Sequence, residues 1–297
     1  LSYCNLLYGR ANGTYPDNNG GAIYCDNSNI NINNSIISNN SATGAGGAIC
    51  LFNGSTLDIS SSVINNNTAS EGGAIFSYNP MYVYSYPILS GVTIHNNSAV
   101  NNGGAIYSNN YVYTLISNCT IVGNVSDVSN PYSGGGIYAA WYGNTDIDSS
   151  IFWNNQPYSI WVENYAGVNV DYSDVEGGWY GPNNIDANPL FADAANGDFN
   201  LTWTDYPVDN ATKSPCIDSG NPYYTDPDGT IKDIGSHYFY QGSGTTPPAN
   251  VVIEIDNGFI TINWSGSRTD DYKVYSSDNP YTGFTEDLTG TYDGTSW

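Results

Sequence analysis

Four aspartates in the middle of the chain are the residues best placed to catalyse a reaction. Two carboxyl groups held a fixed distance apart can hydrolyse a glycosidic bond, one as the acid and the other as the base or nucleophile. Asp146 and Asp148 are two residues apart, so on a β-strand their side chains share one face. The other acids of this region are Asp171 and Asp174, with Glu163 and Glu176 close by. The alternative interpretation, solvated acids at the rim of the fold, is the commoner situation.

A second group of aspartates predicts a calcium site. Asp226-Pro-Asp228-Gly has the Asp-x-Asp-Gly start of a calcium loop and Asp233 follows, but the glutamate of the twelfth position is missing. Calcium is therefore the one cofactor that the sequence suggests. An acidic turn held by aspartate side chains is the alternative.

A row of aromatic residues could bind a ligand by stacking. Flat rings on an open face pack against sugar rings or against the surface of a partner. An aromatic residue follows the isoleucine of a repeated motif, with Cys50 in its place once, and tryptophans fall in the last repeats. The predicted ligand-binding residues are Tyr24, Phe76, Tyr107, Tyr138, Trp141 and Trp153. The competing interpretation is that the rings stack on one another beneath a covering loop.

Two internal repeats position these candidates. The motif Gly-Gly-Ala-Ile, once Gly-Gly-Gly-Ile, begins at Gly20, Gly46, Gly72, Gly103 and Gly134, at intervals of 26, 26, 31 and 31 residues. An aliphatic residue followed three places later by asparagine occurs at Ile37/Asn40, Ile64/Asn67, Ile94/Asn97, Ile121/Asn124 and Ile151/Asn154. Periods of this length are typical of a solenoid, in which each repeat packs its apolar edge against its neighbours.

The repeats predict an all-β fold, a parallel β-helix of about six or seven rungs. Each Gly-Gly turn should lead into a strand whose isoleucine points inward and whose next residue points outward. Two more short strands complete each turn. We expect the asparagines to hydrogen-bond along the axis and to take the left-handed backbone of a corner. The longer rungs contain two tyrosine-rich insertions, 78–87 and 109–113, where repeat proteins usually carry binding loops.

Composition excludes several kinds of partner. The chain has 28 acidic and 5 basic residues, a net charge of −23, which argues against nucleic acid and anionic membranes. Arg10 is the only lysine or arginine before Lys213, so the repeats offer one fixed positive charge to a polyanion. No apolar run is long enough to span a membrane.

The five cysteines predict free thiols. Their number is odd and no Cys-x-x-Cys pair occurs, so neither a complete disulfide set nor a zinc site is indicated. Cys25 and Cys50 lie one place out of phase in neighbouring repeats, which puts them on opposite faces of their strands.

Composition also divides the chain into four parts. Residues 1–178 carry the repeats, and the irregular stretch 179–241 is placed to cap the last rung. Residues 242–250 have the composition of a linker, and residues 251–297 alternate like the start of an antiparallel sandwich. Because the chain opens in mid-repeat at Leu1, we expect a fragment or a trimmed mature chain.

The repeats resemble those of the right-handed parallel β-helix proteins of bacterial surfaces, including the polymorphic outer-membrane type, over roughly residues 1–178. Asn188-Pro-Leu-Phe, Ser214-Pro-Cys-Ile-Asp-Ser-Gly and Asp226-Pro-Asp-Gly to Asp233-Ile-Gly resemble the region that follows such helices in secreted "choice-of-anchor" proteins. Residues 251–297, with Ile262-Asn-Trp and Tyr272-Lys-Val-Tyr, are similar to the first strands of a fibronectin type III domain. The resemblance implies a bacterial protein that is secreted or displayed on the cell surface.

The enzymes among such helices carry motifs that this chain lacks. Pectate-lyase-like helices combine aspartate-bound calcium with an arginine or lysine, whereas the repeats here contain only Arg10. Polygalacturonase-like helices carry Gly-His-Gly, and His95 and His237 lie in other contexts.

We therefore expect a non-enzymatic protein that acts in adhesion, carbohydrate binding or surface structure. Its partner would be a polysaccharide or the surface of a host or neighbouring cell. Two alternatives stay open. One is a polysaccharide-degrading enzyme, a glycosidase or lyase, that uses the acids of the last rungs. The other is a homo-oligomeric fibre subunit that stacks end to end.

Overall fold

The expected all-β fold is present, and the chain forms a parallel β-helix. The computed structural model describes residues 1–81, 84–241, 249–256, 259–265, 275–276 and 285–286. Leu1–Asp226 and Ile231–Phe239 form one compact unit. Among the described residues, the only helical element is the 3₁₀ turn Ala194–Asn196. None of the described segments is a helix of the length and apolarity needed to cross a membrane.

Three long parallel sheets and one short one run along the coil. We number them in chain order within one turn, starting from the strand that follows a Gly-Gly pair. The first sheet contains Ile23–Asp26, Ile49–Phe52, Ile75–Tyr78, Ile106–Asn109, Gly134–Ala140 and Tyr158–Val162. The second contains Asn29–Asn33, Thr56–Ser60, Ile88–Ser90, Tyr113–Ser117, Asn144–Asp148 and Gly167–Asp171. The third contains Asn5–Leu7, Ile36–Ser38, Val63–Asn65, Thr93–His95, Thr120–Val122, Ile151–Trp153 and Asp174–Val175.

The fourth sheet corrects the expectation of three strands per turn. It contains Arg10–Ala11, Ser41–Ala42, Thr68–Ala69 and Ser98–Ala99. Each strand has only two residues, so no alternation of apolar and polar residues can reveal it in the sequence.

The Gly-Gly pair is required by the turn that opens each rung. Gly46 takes a left-handed backbone with φ of 69°. Gly47 has no room for a side chain, because a Cβ there would lie 2.2 Å from the carbonyl oxygen of Gly73 on the next rung. Glycine alone meets both conditions without strain, and this explains why the pair recurs.

The predicted alternation of the first sheet is confirmed. Ile49 and Ile75 point inward, are at most 1 % exposed and belong to the core that runs through the coil. The residue after each of them lies in a separate cluster on the outer face. Burying such an isoleucine stabilises the fold by about 1.5–3 kcal/mol. All five cysteines are free thiols, as predicted, with Cys25 in the inner core and Cys50 on the outer face.

The asparagine ladder is confirmed with one shift of register. Each amide donates from Nδ2 to Oδ1 of the next asparagine at 2.9–3.0 Å, through Asn40, Asn67, Asn97, Asn124 and Asn155. The last member is Asn155 and not the predicted Asn154, because Phe152 is the residue that pairs with Ile121. The left-handed backbone lies one residue before each ladder position, at Asn39, Asn66, Asn96, Gly123 and Asn154.

The segment after the last rung covers one side of the coil as well as its end. Trp179 packs against the inner core at the last rung. The antiparallel pair Phe191–Asp193 and Asp198–Leu201 follows. Trp203, Cys216 and Ile234 are buried in one cluster with Ile151 of the third sheet. The predicted cap therefore also covers the outer face of the later strands of the third sheet, whereas Leu7 and Ile36 on its first two strands are exposed.

The C-terminal elements are antiparallel pairs. Ala249–Asp256 pairs with Phe259–Ser265, and Tyr275–Ser276 pairs with Thr285–Glu286. Residues 242–248 of the predicted linker lie outside the described residues. So do residues 257–258, 266–274, 277–284 and 287–297 of the predicted fibronectin type III-like module.

Candidate functional site

The outer face of the second sheet forms an open cleft of about 700 Å³. Its lining includes Ile88, Leu115, Asp146, Asp148, Asn169 and Asp171, and we call it the acidic cleft. Three of the four predicted catalytic acids thus lie in one cleft. None of the described residues that line it is a lysine or arginine.

Alternation and register bring these side chains together. Asp146 and Asp148 share the outer face of the strand Asn144–Asp148, as their spacing predicts. On the neighbouring strand, Asn169 pairs with Asp146 and Asp171 pairs with Asp148. Adjacent strands are about 4.8 Å apart, so Asp148 and Asp171 are neighbouring like charges.

Two of the three carboxyl groups are held by hydrogen bonds. The hydroxyl of Tyr113 donates to Asp146 Oδ2 at 2.7 Å, and Asn169 Nδ2 donates to Asp146 Oδ1 at 2.8 Å. The hydrogen bond to Asp146 is the main reason why the pKa of Tyr113 is raised to about 12. Asp148 accepts from Asn221 Nδ2 and from Ser149 Oγ, both at 3.0 Å.

Asp171 differs from the other two acids. Among the described residues, none donates a hydrogen bond to its carboxyl group. Partial burial raises its pKa, and the neighbouring charges of Asp148 and Asp146 raise it further. The cleft therefore combines two carboxylates fixed by donors with a third that binds a proton more readily.

Stacked tyrosines line one rim of the same sheet. Tyr111 stacks on Tyr142 with ring centroids 5.2 Å apart, and Tyr142 stacks on Tyr165 at 5.4 Å, with interplanar angles of 16° and 15°. Tyr165 is 71 % exposed and Tyr142 is 38 % exposed. We call these three residues the tyrosine row. It lies at the corner between the first and second sheets, one ring per rung.

The backbone beneath this row is strained. Trp141 and Tyr142 have φ of 46° and 64°, in a turn closed by the bond from Gly143 N–H to the Ala140 carbonyl oxygen at 2.8 Å. A left-handed backbone costs about 1–2 kcal/mol for a residue with a Cβ. Turns of this kind favour Asn-Gly.

An earlier rung shows the unstrained form of this corner. Asn53 and Gly54 have φ of 52° and 79°, and Ser55 N–H donates to the Phe52 carbonyl oxygen at 3.0 Å. At this corner the later rung therefore has Trp141 and Tyr142 in the positions that Asn53 and Gly54 occupy on the earlier rung.

The inserted segment 78–87 adds rings to this rim. Tyr84 contacts Tyr111 and Tyr113 with centroid distances of 5.6 and 6.2 Å, and Tyr86 lies 6.0 Å from Tyr113. Tyr113 also binds Asp146, so one residue joins the aromatic rim to the acidic cleft. Residues 82–83 of the insertion lie outside the described residues.

Comparison with known proteins identifies the architecture. The family described as "Right handed beta helix region" matches residues 21–190, more than half of the chain. The chain belongs to this right-handed β-helix family. No curated protein and no solved structure matches it. The match supports the predicted handedness and ends where the segment over the third sheet begins.

This β-helix does not present the aromatic row that the sequence predicted as a binding face. Phe76, Tyr107 and Tyr138 are only 5–7 % exposed, and Tyr24 is half-buried against the same cluster. Burial is the first cause that raises the pKa of Tyr138, whose hydroxyl donates to Glu163.

Loops that precede the Gly-Gly pairs fold over this face. Tyr15 packs its ring edge-on to Phe52, and Tyr132 does the same to Trp161. The alternative expectation, rings stacked beneath a covering loop, describes this side of the β-helix.

The two tryptophans of the predicted ligand set lie in different environments. Trp141 is 48 % exposed and stands next to the tyrosine row, with its ring 6.4 Å from Tyr165. Trp153 belongs to the third sheet and packs against the cluster that contains Ile151 and Trp203.

Asp174 is separated from the other predicted catalytic acids. It lies on the third sheet, fully buried, where its Oδ1 accepts from Ala187 N–H and its Oδ2 from the Cys216 thiol. Glu176 is also outside the cleft lining, and it accepts from Asn154 N–H at 2.6 Å.

The environment of Asp174 predicts a pH-dependent contribution to stability. Burial raises its pKa from 3.8 to about 7. The folded state therefore keeps a proton that the unfolded chain releases, so this contribution is complete below the unfolded pKa and is lost as the pH rises toward 7. We expect the stability advantage of the natural protein over Asp174→Asn to shrink between about pH 4 and about pH 8.

Urea unfolding of both proteins across this range measures the difference. His95 and His237, whose pKa values burial lowers, are present in both proteins and cancel. Asp209→Asn, at an exposed position, is the matched control and should show no such trend. A constant difference between the natural protein and Asp174→Asn would contradict the assignment.

The predicted calcium ligands hold their own loops by hydrogen bonds. Asp228 Oδ1 accepts from Thr230 N–H at 3.1 Å, an Asx-type turn. Asp233 accepts from Asp218 N–H and Phe239 N–H, and Asp226 accepts from Asp233 N–H. The described part of the chain contains no group of three or more His, Cys, Asp or Glu side chains that could hold a metal ion. Calcium binding stays a prediction.

Sequence reasoning missed the tyrosine row, although a signal was present. Tyr111, Tyr142 and Tyr165 each lie four residues after the outward aromatic position of the first sheet, at Tyr107, Tyr138 and Trp161. A second aromatic period at a fixed offset would have identified the corner.

Proposed function

We propose that this protein binds a polysaccharide in the acidic cleft and against the tyrosine row. The observation that carries the proposal is the strained turn that holds Trp141 and Tyr142 exposed beside an open cleft. Side chains kept in a sparsely populated backbone conformation are concentrated at functional sites. The ring contacts of Tyr142 offset part of this backbone cost, but Asn-Gly would form the same turn without it.

The chemistry of the cleft suits a sugar chain. Tyrosine rings stack on the apolar faces of sugar rings. Within the tyrosine row the neighbouring rings cover both faces of Tyr142, so the exposed ring of Tyr165 is the one that can stack on a sugar. Ile88 and Leu115 supply an apolar floor, and Asp146 and Asn169 can exchange hydrogen bonds with hydroxyl groups. The site continues from rung to rung, which favours an extended polymer over a small molecule.

We place this activity outside the cell, on a bacterial surface or in the secreted state. The motif series that begins at Asn188, Ser214 and Asp226 resembles the region after the helix in surface-anchored proteins and supports this location.

Hydrolysis of the bound chain is the second candidate function, and Asp171 favours it. A carboxyl group with a raised pKa can act as general acid when a second carboxyl group beside it serves as base or nucleophile. Asp171 and Asp148 form such a neighbouring pair.

One experiment tests both functions. Titration calorimetry with neutral, acidic and amino-sugar oligosaccharides measures binding, and mass spectrometry of the same mixtures measures release of products. We expect binding of at least one class, with affinity about tenfold weaker in Tyr165→Ala, because one exposed ring contributes about 1.4 kcal/mol.

Tyr8→Ala is the matched control. Tyr8 is 70 % exposed with φ of 62°, compared with 71 % and 61° for Tyr165, but it lies on the first rung. An equal loss of affinity in both variants would contradict the assigned site, and absence of binding to every class would contradict the function. Products that disappear in Asp171→Asn would establish hydrolysis in place of simple binding.

A further inference from the structure

We infer that one hairpin of the cap is an acid-released strap, which closes over the third sheet while His95 is neutral and opens when His95 binds a proton. The strap consists of the strands Phe191–Asp193 and Asp198–Leu201 with the 3₁₀ turn Ala194–Asn196 between them. It lies on a different face of the coil from the acidic cleft, so this inference does not depend on carbohydrate binding. Histidine is the side chain whose charge changes most readily between about pH 5 and 8.

The outer half of the strap rests on His95. At the base of the strap, Leu201 is buried in a cluster with other residues of the cap. Residues 192–197 at its tip are exposed, whereas Phe199 is 3 % exposed. The Phe199 ring packs edge-on to the His95 ring with centroids 5.0 Å apart, and a Cβ at Gly197 would lie 3.6 Å from His95 Cε1. The strap therefore has a base fixed in the cap and an outer part whose described ring contact with the coil is to His95.

The closed strap accommodates His95 in its neutral form. His95 is 7 % exposed and lies on the outer face of the third sheet. Asn65 Nδ2 lies 3.1 Å from His95 Nε2 and can only donate, so Nε2 is the acceptor and the ring proton is on Nδ1. Among the described residues, neither His95 Nδ1 nor Asn65 Oδ1 has a hydrogen-bond partner, although both atoms are buried. Rotating the Asn65 amide would satisfy one N–H of a charged ring and leave the other without an acceptor, which is costly for a buried cation.

Within the described part of the chain, no charged group offsets the burial of His95. The strap carries two acids, and Asp193 is at its exposed tip. Burial lowers the pKa of His237 and Asp198 opposes that shift, so the second acid acts on the other histidine of the cap. The residues that pair with His95 on the two neighbouring strands are an asparagine and a valine. Burial therefore lowers the pKa of His95 from its ordinary value of 6.5.

These properties set the direction of the pH response. When the strap is open, water reaches the ring, so His95 has its ordinary pKa and binds a proton more readily than in the closed state. The closed state is therefore fully favoured above about pH 6.5 and becomes less favoured as the pH falls. The opening equilibrium should rise about tenfold per pH unit until the closed form also binds the proton. Opening exposes Phe199 and the histidine ring.

The first test follows opening with an apolar dye. Anilinonaphthalene sulfonate binds exposed apolar surface, and its fluorescence is measured from about pH 7.5 to about pH 5. We expect the natural protein to bind increasing amounts of dye below about pH 6.5, and His95→Gln to bind at least about tenfold less at the lower end. Glutamine can accept the bond from Asn65 and takes no proton. The buried Asp174 titrates in the same range but is present in both proteins and cancels.

His237→Gln is the matched control, since the chain has two histidines and Phe199 packs on His95. This variant should keep the acid response. An equal response of the natural protein and His95→Gln would overturn the inference, and so would loss of the response in His237→Gln alone.

The second test measures the same coupling from the side of the proton. A proton that opens the strap must bind more tightly when the strap contact is removed. NMR titration of isotope-labelled histidine follows the two rings separately. Phe199→Ala should raise the pKa of His95 toward 6.5, whereas Tyr206→Ala, which removes a cap ring in contact with Trp203 and Phe239, should leave it unchanged. If Phe199→Ala leaves the pKa of His95 unchanged, the strap is independent of the proton and the inference is wrong.

Discussion

The double variant Trp141→Asn/Tyr142→Gly is expected to lose most of its affinity for carbohydrate while it stays at least as stable as the natural protein. The change installs the turn that Asn53 and Gly54 already form on an earlier rung. Replacing Tyr142 by glycine and Trp141 by asparagine, which takes the left-handed backbone more readily, recovers up to about 2–4 kcal/mol. The lost ring contacts of Tyr142 cost about 1–3 kcal/mol, so the net change should be close to zero or stabilising.

The loss of binding should be much larger than the change in stability. Central aromatic anchors contribute about 2 kcal/mol or more to an interface, equivalent to an affinity about 30-fold weaker. Calorimetric titration measures the affinity, and thermal unfolding followed by circular dichroism measures the stability. A variant that loses stability and binding together would show that the rings have a structural role.

Gly54→Tyr is the reciprocal control for the strain. A Cβ at Gly54 would meet no atom closer than 3.7 Å, so the main cost of the substitution should be the backbone term, about 1–2 kcal/mol. If this variant is fully stable, the turn at Trp141 carries no strain, and its rings give no sign of a functional site.

Asn97→Ala is expected to lower the free energy of unfolding by at least about 3 kcal/mol. Asn97 Nδ2 donates to the Ile64 and His95 carbonyl oxygens and to Asn124 Oδ1. Its Oδ1 accepts from the backbone and side chain of Asn67. Alanine would leave several of these buried groups without a partner, and each costs about 1–3 kcal/mol.

The control is the preceding residue. Asn96 is exposed and has φ of 55°, so Asn96→Gly should change the free energy of unfolding by less than about 1 kcal/mol. Urea unfolding measures both variants, and hydrogen exchange shows whether protection is lost on the rungs next to Asn97. Equal destabilisation by the two substitutions would show that the amide ladder is not the source of stability.

The coil itself was predictable because its constraints are local and recur on every rung. Gly47 lies too close to the next rung to carry a side chain, and Asn97 must satisfy the backbone of its neighbours, so the residue type is dictated at each period. The error at the last rung has a simple cause. Asn154 and Asn155 are both asparagines, and only the pairing of Phe152 with Ile121 decides which one enters the ladder.

The acidic cleft was predictable only in part. Alternation placed Asp146 and Asp148 on one face, and the period brought Asp171 beside them. The period also places Asp174 on the same rung as Asp171, and the sequence does not show that the two face different sides. The left-handed corner at Tyr172, with φ of 49°, turns the chain from the second sheet to the third, so Asp174 is buried on a different side of the coil.

The sequence by itself determined the period, the inward isoleucines and the outward aromatic positions, since each depends on neighbours at a fixed separation along the chain. Only the tertiary structure decided which outward positions are accessible. Tyr138 and Tyr142 are four residues apart, yet Tyr138 is buried beneath loops and Tyr142 is exposed beside an open cleft. Accessibility depends on segments such as the loop at Tyr132 and the stretch after Trp179, which fold over particular faces. These contacts obey no period, so no repeat in the sequence could indicate them.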